Sequence, residues 1–168
     1  PVGNPNAGSS GAGILCLDAG TGERVWFASS PKGDMRAPVT VHDDIVYAIS
    51  AEGWVGAWHA ADGKRIWAKP LKPDYEHGRP LAINNTPPVP TRHGLIGADW
   101  RSSQHLLDFQ SGETLSEIKA DVGYYASFAN ASGDVLFAAR RGRAEANRLP
   151  GGESIWQEPE TSRSTSAP

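Results

Sequence analysis

One cysteine, Cys16, is all that these 168 residues contain, so the chain can form neither an internal disulfide nor an adjacent cysteine pair. It lies in the apolar run Ile14-Leu15-Cys16-Leu17, where a free cysteine behaves as a small buried hydrophobe. A reactive thiol needs a neighbouring base or helix start, and the sequence offers neither. Long apolar runs are also missing; none approaches the ~20 residues of a membrane-spanning helix. Positive charge is not in excess: 16 Lys and Arg against 19 Asp and Glu leave a net charge of -3, which argues against general nucleic-acid binding. The chain opens Pro1-Val2-Gly3-Asn4 with no initiator Met and no basic or apolar leader, which predicts a mature or excised piece of something longer. No stretch has a 3.6-residue period with caps, so almost no helix is expected.

Glycine and proline are plentiful, at 19 and 13 residues, which predicts many tight turns between short strands. Behind them lies a repeat. Residues 16–26, 57–67, 106–116 and 146–156 align without gaps. The shared frame has a small or apolar first residue, Asp or a polar substitute two on, Gly six on and Trp ten on. The glycines are Gly22, Gly63, Gly112 and Gly152, spaced by 41, 49 and 40 residues. The final positions are Trp26, Trp67, Ser116 and Trp156. Four matches near one period identify a structural unit used repeatedly.

Each part of the frame has a physical job. An apolar strand enters, a polar cluster turns the chain, and Gly supplies backbone angles that a Cβ penalises. A second strand leaves and delivers an indole that can bury about 150–250 Å² between units. A second hairpin lies between successive frames. Its turns are His42-Asp43-Asp44, Arg92-His93-Gly94 and Asn130 to Gly133, each flanked by short β-rich runs. Four antiparallel strands per ~40 residues is the arithmetic of propeller blades. The expected fold is therefore all-β, a partial β-propeller of about three and a half four-stranded antiparallel blades. The Gly-His and Trp-Asp signatures of the other common 40-residue propeller repeat are missing. A β-sandwich explains the strands but not the periodic Gly and Trp.

The frame Ala-x-Asp-x-x-x-Gly-x-x-x-Trp resembles the tryptophan-docking motif of PQQ-like, quinoprotein-type propeller repeats. The resemblance runs from about residue 14 to 157. That family includes quinone-dependent dehydrogenases and non-enzymatic propellers such as the lipoproteins of bacterial outer-membrane assembly. The resemblance implies a part-blade over 14–28 and whole blades over 37–69, 87–118 and 125–157. Residues 1–13 are then a flexible or incomplete strand, and the Ser-, Thr- and Pro-rich 158–168 a disordered tail. Gly22, Trp26, Gly63, Trp67, Gly112, Gly152 and Trp156 become the structural docking residues. The copy departs from the pattern at Ser116, where the wedge is missing, and at His59 and Arg148, where Asp is replaced. Packing between blades is expected to be weakest at Ser116.

A catalytic constellation is not evident. His42, His59, His77, His93 and His105 show no metal-binding spacing, and His42 and His93 are expected to be solvated turn residues. The Gly-rich stretch 8–13 lacks the following helix and Lys of a phosphate loop. In the resembling architecture, ligand sites lie on the face formed by loops between blades and between second and third strands. That face would carry Met35, Arg36, Tyr75, His77, Arg79, Asn85, Trp100, Arg101, Tyr124, Arg140 and Arg141, an arginine and aromatic mixture suited to an anionic or peptide ligand.

These observations predict a non-catalytic binding or protein-interaction scaffold. By resemblance it belongs to the periplasm or cell envelope, with its ring completed by remaining blades or another chain. No nucleic-acid partner, transmembrane segment, metal or cofactor is expected. The alternative is part of a PQQ-dependent dehydrogenase whose quinone and calcium residues lie elsewhere, since shared fold does not imply shared function. A weaker third reading is a propeller appended to a hydrolase domain. If the indoles hold the blades together, Trp67→Ala will cost about 3–5 kcal/mol of unfolding free energy in a denaturant titration. Ser116→Ala will cost little by comparison; equal costs would contradict the assignment.

Overall fold

The computed structural model describes residues 11–35, 37–71, 86–98, 103–118, 125–129, 132–140 and 143–158. They form fourteen strands and no α-helix among the described residues. β1 (Gly13–Leu17) and β2 (Arg24–Ser29) make a two-stranded sheet. Three four-stranded sheets follow. The second sheet holds β3 (Thr40–His42), β4 (Ile45–Ile49), β5 (Trp54–His59) and β6 (Arg65–Pro70). The third holds β7 (Val89–Thr91), β8 (Gly94–Ala98), β9 (Gln104–Leu107) and β10 (Thr114–Ile118). The fourth holds β11 (Tyr125–Ala129), β12 (Val135–Arg140), β13 (Arg143–Arg148) and β14 (Glu153–Gln157). Every sheet is an antiparallel meander of sequential neighbours, the architecture of a partial β-propeller.

The local reasons are repeated as faithfully as the sequence. The N–H of Gly22, Gly63, Gly112 and Gly152 donates to the carbonyl of residue 18, 59, 108 and 148 at 2.8, 2.9, 2.9 and 2.7 Å. All four glycines have φ between 69° and 81°, in the left-handed region that a Cβ disfavours. Where Asp occupies the frame it braces the turn. Asp18 Oδ1 accepts from the N–H of Gly20 and Thr21 at 2.9 and 2.8 Å, and Asp108 Oδ1 accepts from those of Gln110 and Ser111 at 3.0 and 2.8 Å. The Asp43-Asp44 turn takes φ of 49° and 59°, the double left-handed geometry that matches the twist of a tight hairpin.

A feature the sequence pattern did not announce recurs in all four outer hairpins. The register slips once, so that Val25, Ile66, Leu115 and Ile155 each stand as an extra residue on the outermost strand. All four are exposed. A β-bulge adds local twist and interrupts pairing. Here it sits immediately before the residue that reaches the next sheet, and it blunts an outer edge otherwise open to strand addition.

The core lies between sheets. Ile14 and Ala28, with Trp26 beside them, meet Val46, Ala48 and Trp58 between the first and second sheets. Tyr47, Val55, Ala57 and Trp67 meet Leu95 and Leu107 between the second and third. Between the third and fourth, Ile96, Leu106 and Ile118 meet Leu136 and Leu149. The indoles close these joints. Trp26 Nε1–H donates to the Ala60 carbonyl at 2.9 Å and Trp67 Nε1–H to the Phe109 carbonyl at 2.9 Å. Both rings lie on the next turn glycine. A Cβ on Gly63 would stand 2.6 Å from Trp26 Cε3, and one on Gly112 2.5 Å from Trp67 Cε3.

The third and fourth copies depart from the first two. Ser116 Oγ donates to the Pro150 carbonyl at 2.9 Å, and it is Ile118, two residues on, that covers the glycine; a Cβ on Gly152 would stand 2.8 Å from Ile118 Cγ1. The missing wedge is thus replaced from the next position on the same side of the strand. Trp156, expected to be buried between units, is 44% exposed, while Trp67 is 7% exposed. Its indole rests beside Phe137 at 6.3 Å between centroids, because no described sheet follows to offer it a glycine.

Gly22 and Gly112 share one backbone conformation but not one environment, since nothing lies within 4 Å of a Cβ built on Gly22. Ala at either position costs about 1–2 kcal/mol for the left-handed angle. Gly112→Ala must also displace Trp67. The expected result is a drop in denaturation midpoint at least about twofold larger for Gly112→Ala than for Gly22→Ala; equal drops would show that the ring contact is not needed.

Candidate functional site

Antiparallel meanders put alternate connections at opposite ends. At one end lie the tails of β4, β8 and β12 and the starts of β5, β9 and β13, the end on which ligand residues were expected. Of those residues, Arg36, Tyr75, His77, Arg79, Asn85, Trp100, Arg101, Tyr124 and Arg141 lie outside the described residues. Arg140 closes β12 in register with Tyr125 and Arg143, which fixes its backbone at this end. Met35 is corrected: it bridges Ser50 and is 3% exposed, packed into the joint between the first two sheets and withdrawn from any ligand. Beside it, the Asp34 carbonyl accepts the Ala51 N–H at 2.7 Å, and Lys32 faces Glu52 at 3.6 Å.

Behind this end lies a polar layer that single-residue reasoning missed. Ser103, Gln104, His105, Glu145 and Asn147 are all buried, and Asn147 Nδ2 donates to Glu145 Oε1 at 3.2 Å. Gln104 alternates in phase with Leu106, so it faces the fourth sheet. Glu145 and Asn147 pair directly with Ala138 and Leu136, which puts them on the face turned to the third. His105 and Glu145 hold the same place in successive repeats, one residue before the frame, where the earlier copies have Leu15 and Gly56. The signal was in the alignment: apolar or Gly in the first two repeats, ionisable in the last two. His105, out of phase with Gln104 and paired with Gly97, faces the second sheet, so among the described residues buried hydrogen-bonding groups lie toward the loop end in both the second and the third joints.

The opposite end is built from the frame turns and the β3–β4, β7–β8 and β11–β12 turns. Its charged groups are fastened to neighbours. Arg92 makes a two-pronged ion pair with Asp134, and His93 Nε2 lies 3.2 Å from the same carboxylate, joining the third sheet to the fourth. Lys69 pairs with Glu113 between the second and third. His93, expected to be solvated, is instead 28% exposed and held in this cluster. His42 keeps 40% of its side chain exposed, as expected of a turn histidine, with its ring 5.4 Å from that of Phe109. Burial, then the nearby Asp43 and Asp108 charges, pushes the Tyr47 hydroxyl above its ordinary range. Among the described residues no group of three or more His, Cys, Asp or Glu is arranged to hold a metal ion.

Four carboxylates at this end titrate below their ordinary value. The Arg92 side chain holds Asp134 down, Thr21 and Gly20 hold Asp18, Ser111 holds Asp108, and Lys64 holds Asp62. A depressed native pKa means that the unfolded chain takes up protons first as the medium is acidified. The stability they contribute is present above the ordinary value of 3.8 and is lost as pH falls through the lowered values. The melting temperature should accordingly drop from about pH 4 downward, and Asp134→Asn should flatten that drop. An unchanged acid slope in the variant would remove Asp134 from the account.

Known proteins place this geometry. The crystal structure of BamB from Moraxella catarrhalis superposes on 90% of this chain and 44% of its own, with a TM-score of 0.69 at 16% identity. The crystal structure of the computationally designed Ika8 protein superposes on 84% of this chain and 42% of its own, with a TM-score of 0.66 at 12% identity. Both likenesses concern the fold, and the chain spans less than half the length of either. Among curated protein sequences none matches. The family described as outer membrane protein assembly factor BamB matches residues 10–167. With its repeat, its four antiparallel sheets and a match over nearly all of its length, this chain belongs to the BamB family of PQQ-like β-propellers.

Proposed function

We propose that this chain is a non-catalytic propeller segment that serves as a protein-interaction scaffold in the bacterial cell envelope, contributing to outer-membrane protein assembly. The observation that carries the reading is the match to the BamB family over residues 10–167. The structure supports it in kind. Side chains of the repeat are spent on sheet-to-sheet packing and turn bracing, which makes a rigid rim. Loops at the Arg140 end are left to contact a partner, the usual division of labour between scaffold and binding loops. No helix among the described residues is long and apolar enough to cross a membrane, so attachment to the envelope falls to a partner or an anchor. The ring is completed by further sheets.

The arginines and aromatics expected at this end, Arg36, Tyr75, His77, Arg79, Asn85, Trp100, Arg101, Tyr124, Arg140 and Arg141, are proposed as the contact surface for an acidic or extended peptide segment. Charge reversal of Arg140 and Arg141 together should reduce outer-membrane protein levels in cells that depend on this gene. A change on the outer strands, such as Thr114→Glu, should not. Equal loss from both would point to folding and away from a binding face. Adding PQQ and Ca²⁺ to the purified chain should leave the quinone spectrum unchanged. A red-shifted bound chromophore would overturn the scaffold reading and assign the chain to the dehydrogenases.

A further inference from the structure

We propose that the joint between the third and fourth sheets is a hinge. The fourth sheet swings about the contact of the β7–β8 and β11–β12 turns and parts from the third toward the Arg140 end. Such motion follows from the packing alone and holds whether or not the chain is a scaffold.

The first two joints are sealed with aromatic rings. Trp26 and Trp58 lie in the first, and Tyr47, Trp67 and Phe109 in the second; each such ring can bury about 150–250 Å². The apolar cluster of the third joint is Ile96, Leu106, Ile118, Leu136 and Leu149 with Val89, and it holds no aromatic ring. The locks at the outer radius differ in the same way. Trp26 and Trp67 donate to the next sheet through partly buried hydrogen bonds. Ser116 Oγ meets the Pro150 carbonyl through an exposed one, which water can replace.

Toward the Arg140 end the third joint is lined by polar groups. Gln104 on the third sheet and Glu145 and Asn147 on the fourth are all buried. They fix where the sheets sit when closed, because buried polar groups demand partners. They add little to what holds the sheets together, because water satisfies the same groups once the joint opens. His105 puts one such group in the second joint, alongside three aromatic rings. At the opposite end the two turns touch. A Cβ on Gly133 would stand 2.4 Å from the Arg92 backbone nitrogen, and Arg92 makes its two-pronged pair with Asp134 beside that contact. This contact is the axis. Arg140 rides on the moving sheet, so the hinge sets the width of the proposed contact surface.

The test is double electron–electron resonance on the full chain carrying Cys16→Ser and nitroxide labels on introduced cysteines. Arg24, Arg65, Thr114 and Ser154 are exposed and hold the same place in the four outer strands. Label pairs at 24 and 65, 65 and 114, and 114 and 154 therefore report the first, second and third joints on equal terms. At urea concentrations that leave the circular dichroism unchanged, only the pair at 114 and 154 should gain a longer distance. Ser116→Trp with Ile118→Ala copies the spacing of Trp26 and Ala28 into the third joint, and should cut that longer population about fivefold or more. Should the double variant fail to fold, the three pairs in the parent chain decide alone.

A third joint that keeps one distance until the whole chain unfolds would overturn the proposal. So would a first-joint pair that lengthens at the same urea concentration, since the two-stranded first sheet would then show that end sheets simply fray. An unchanged longer population in a folded double variant also counts against it. In each of these cases the scaffold reading survives, because its own test is read in cells.

Discussion

The contact between an indole and a bare turn glycine is the constraint from which the rest of this structure follows. A hairpin pair cannot bury both of its faces by itself, and a stack of small sheets is stable only if each is held to the next. The Trp26–Gly63 and Trp67–Gly112 contacts do this at the outer radius, far from the inner strands. At the inner radius Thr40 Oγ1 donates to the Pro88 carbonyl at 2.6 Å. The joint between the second and third sheets is thus fixed at two separated points, which defines the angle between them as well as their distance.

The bulge belongs to the same device. Without an extra residue, Trp67 and Arg65 would alternate in simple order on β6, and the indole would leave the sheet with the ordinary twist. The slip at Ile66 turns the strand locally and presents the ring to Gly112. The exposed aliphatic residue that results in every repeat is a consequence of that geometry. Where Trp is absent, at Ser116, the bulge is still present and Ile118 covers Gly152. The third joint carries the Arg92–Asp134–His93 cluster at one end and the buried Gln104, Glu145 and Asn147 toward the other. A joint with a smaller apolar wedge is held by polar groups, whose burial demands partners and so restricts how the two sheets can sit.

This arrangement explains why the described residues carry packing and bracing more than chemistry. A residue that must fill a joint or brace a turn is not free to meet a ligand, as Met35 and His93 show. Both looked available in the sequence. The first closes the joint between the first and second sheets; the second is tied to Asp134. The proposed contact surface is accordingly assigned to the connections at the Arg140 end.

The residues alone determined the all-β class, the four-strand unit, the turn glycines and the spacing of the indoles. Those properties are local: a turn needs its Gly within a few residues, and a hairpin needs its two runs close in sequence. The bulges, the replacement of the wedge by Ile118, and the buried polar groups at His105 and Glu145 were decided only in three dimensions. Each depends on which side chain faces a neighbour about 40 residues away, and strand register and sheet-to-sheet distance, not composition, settle that.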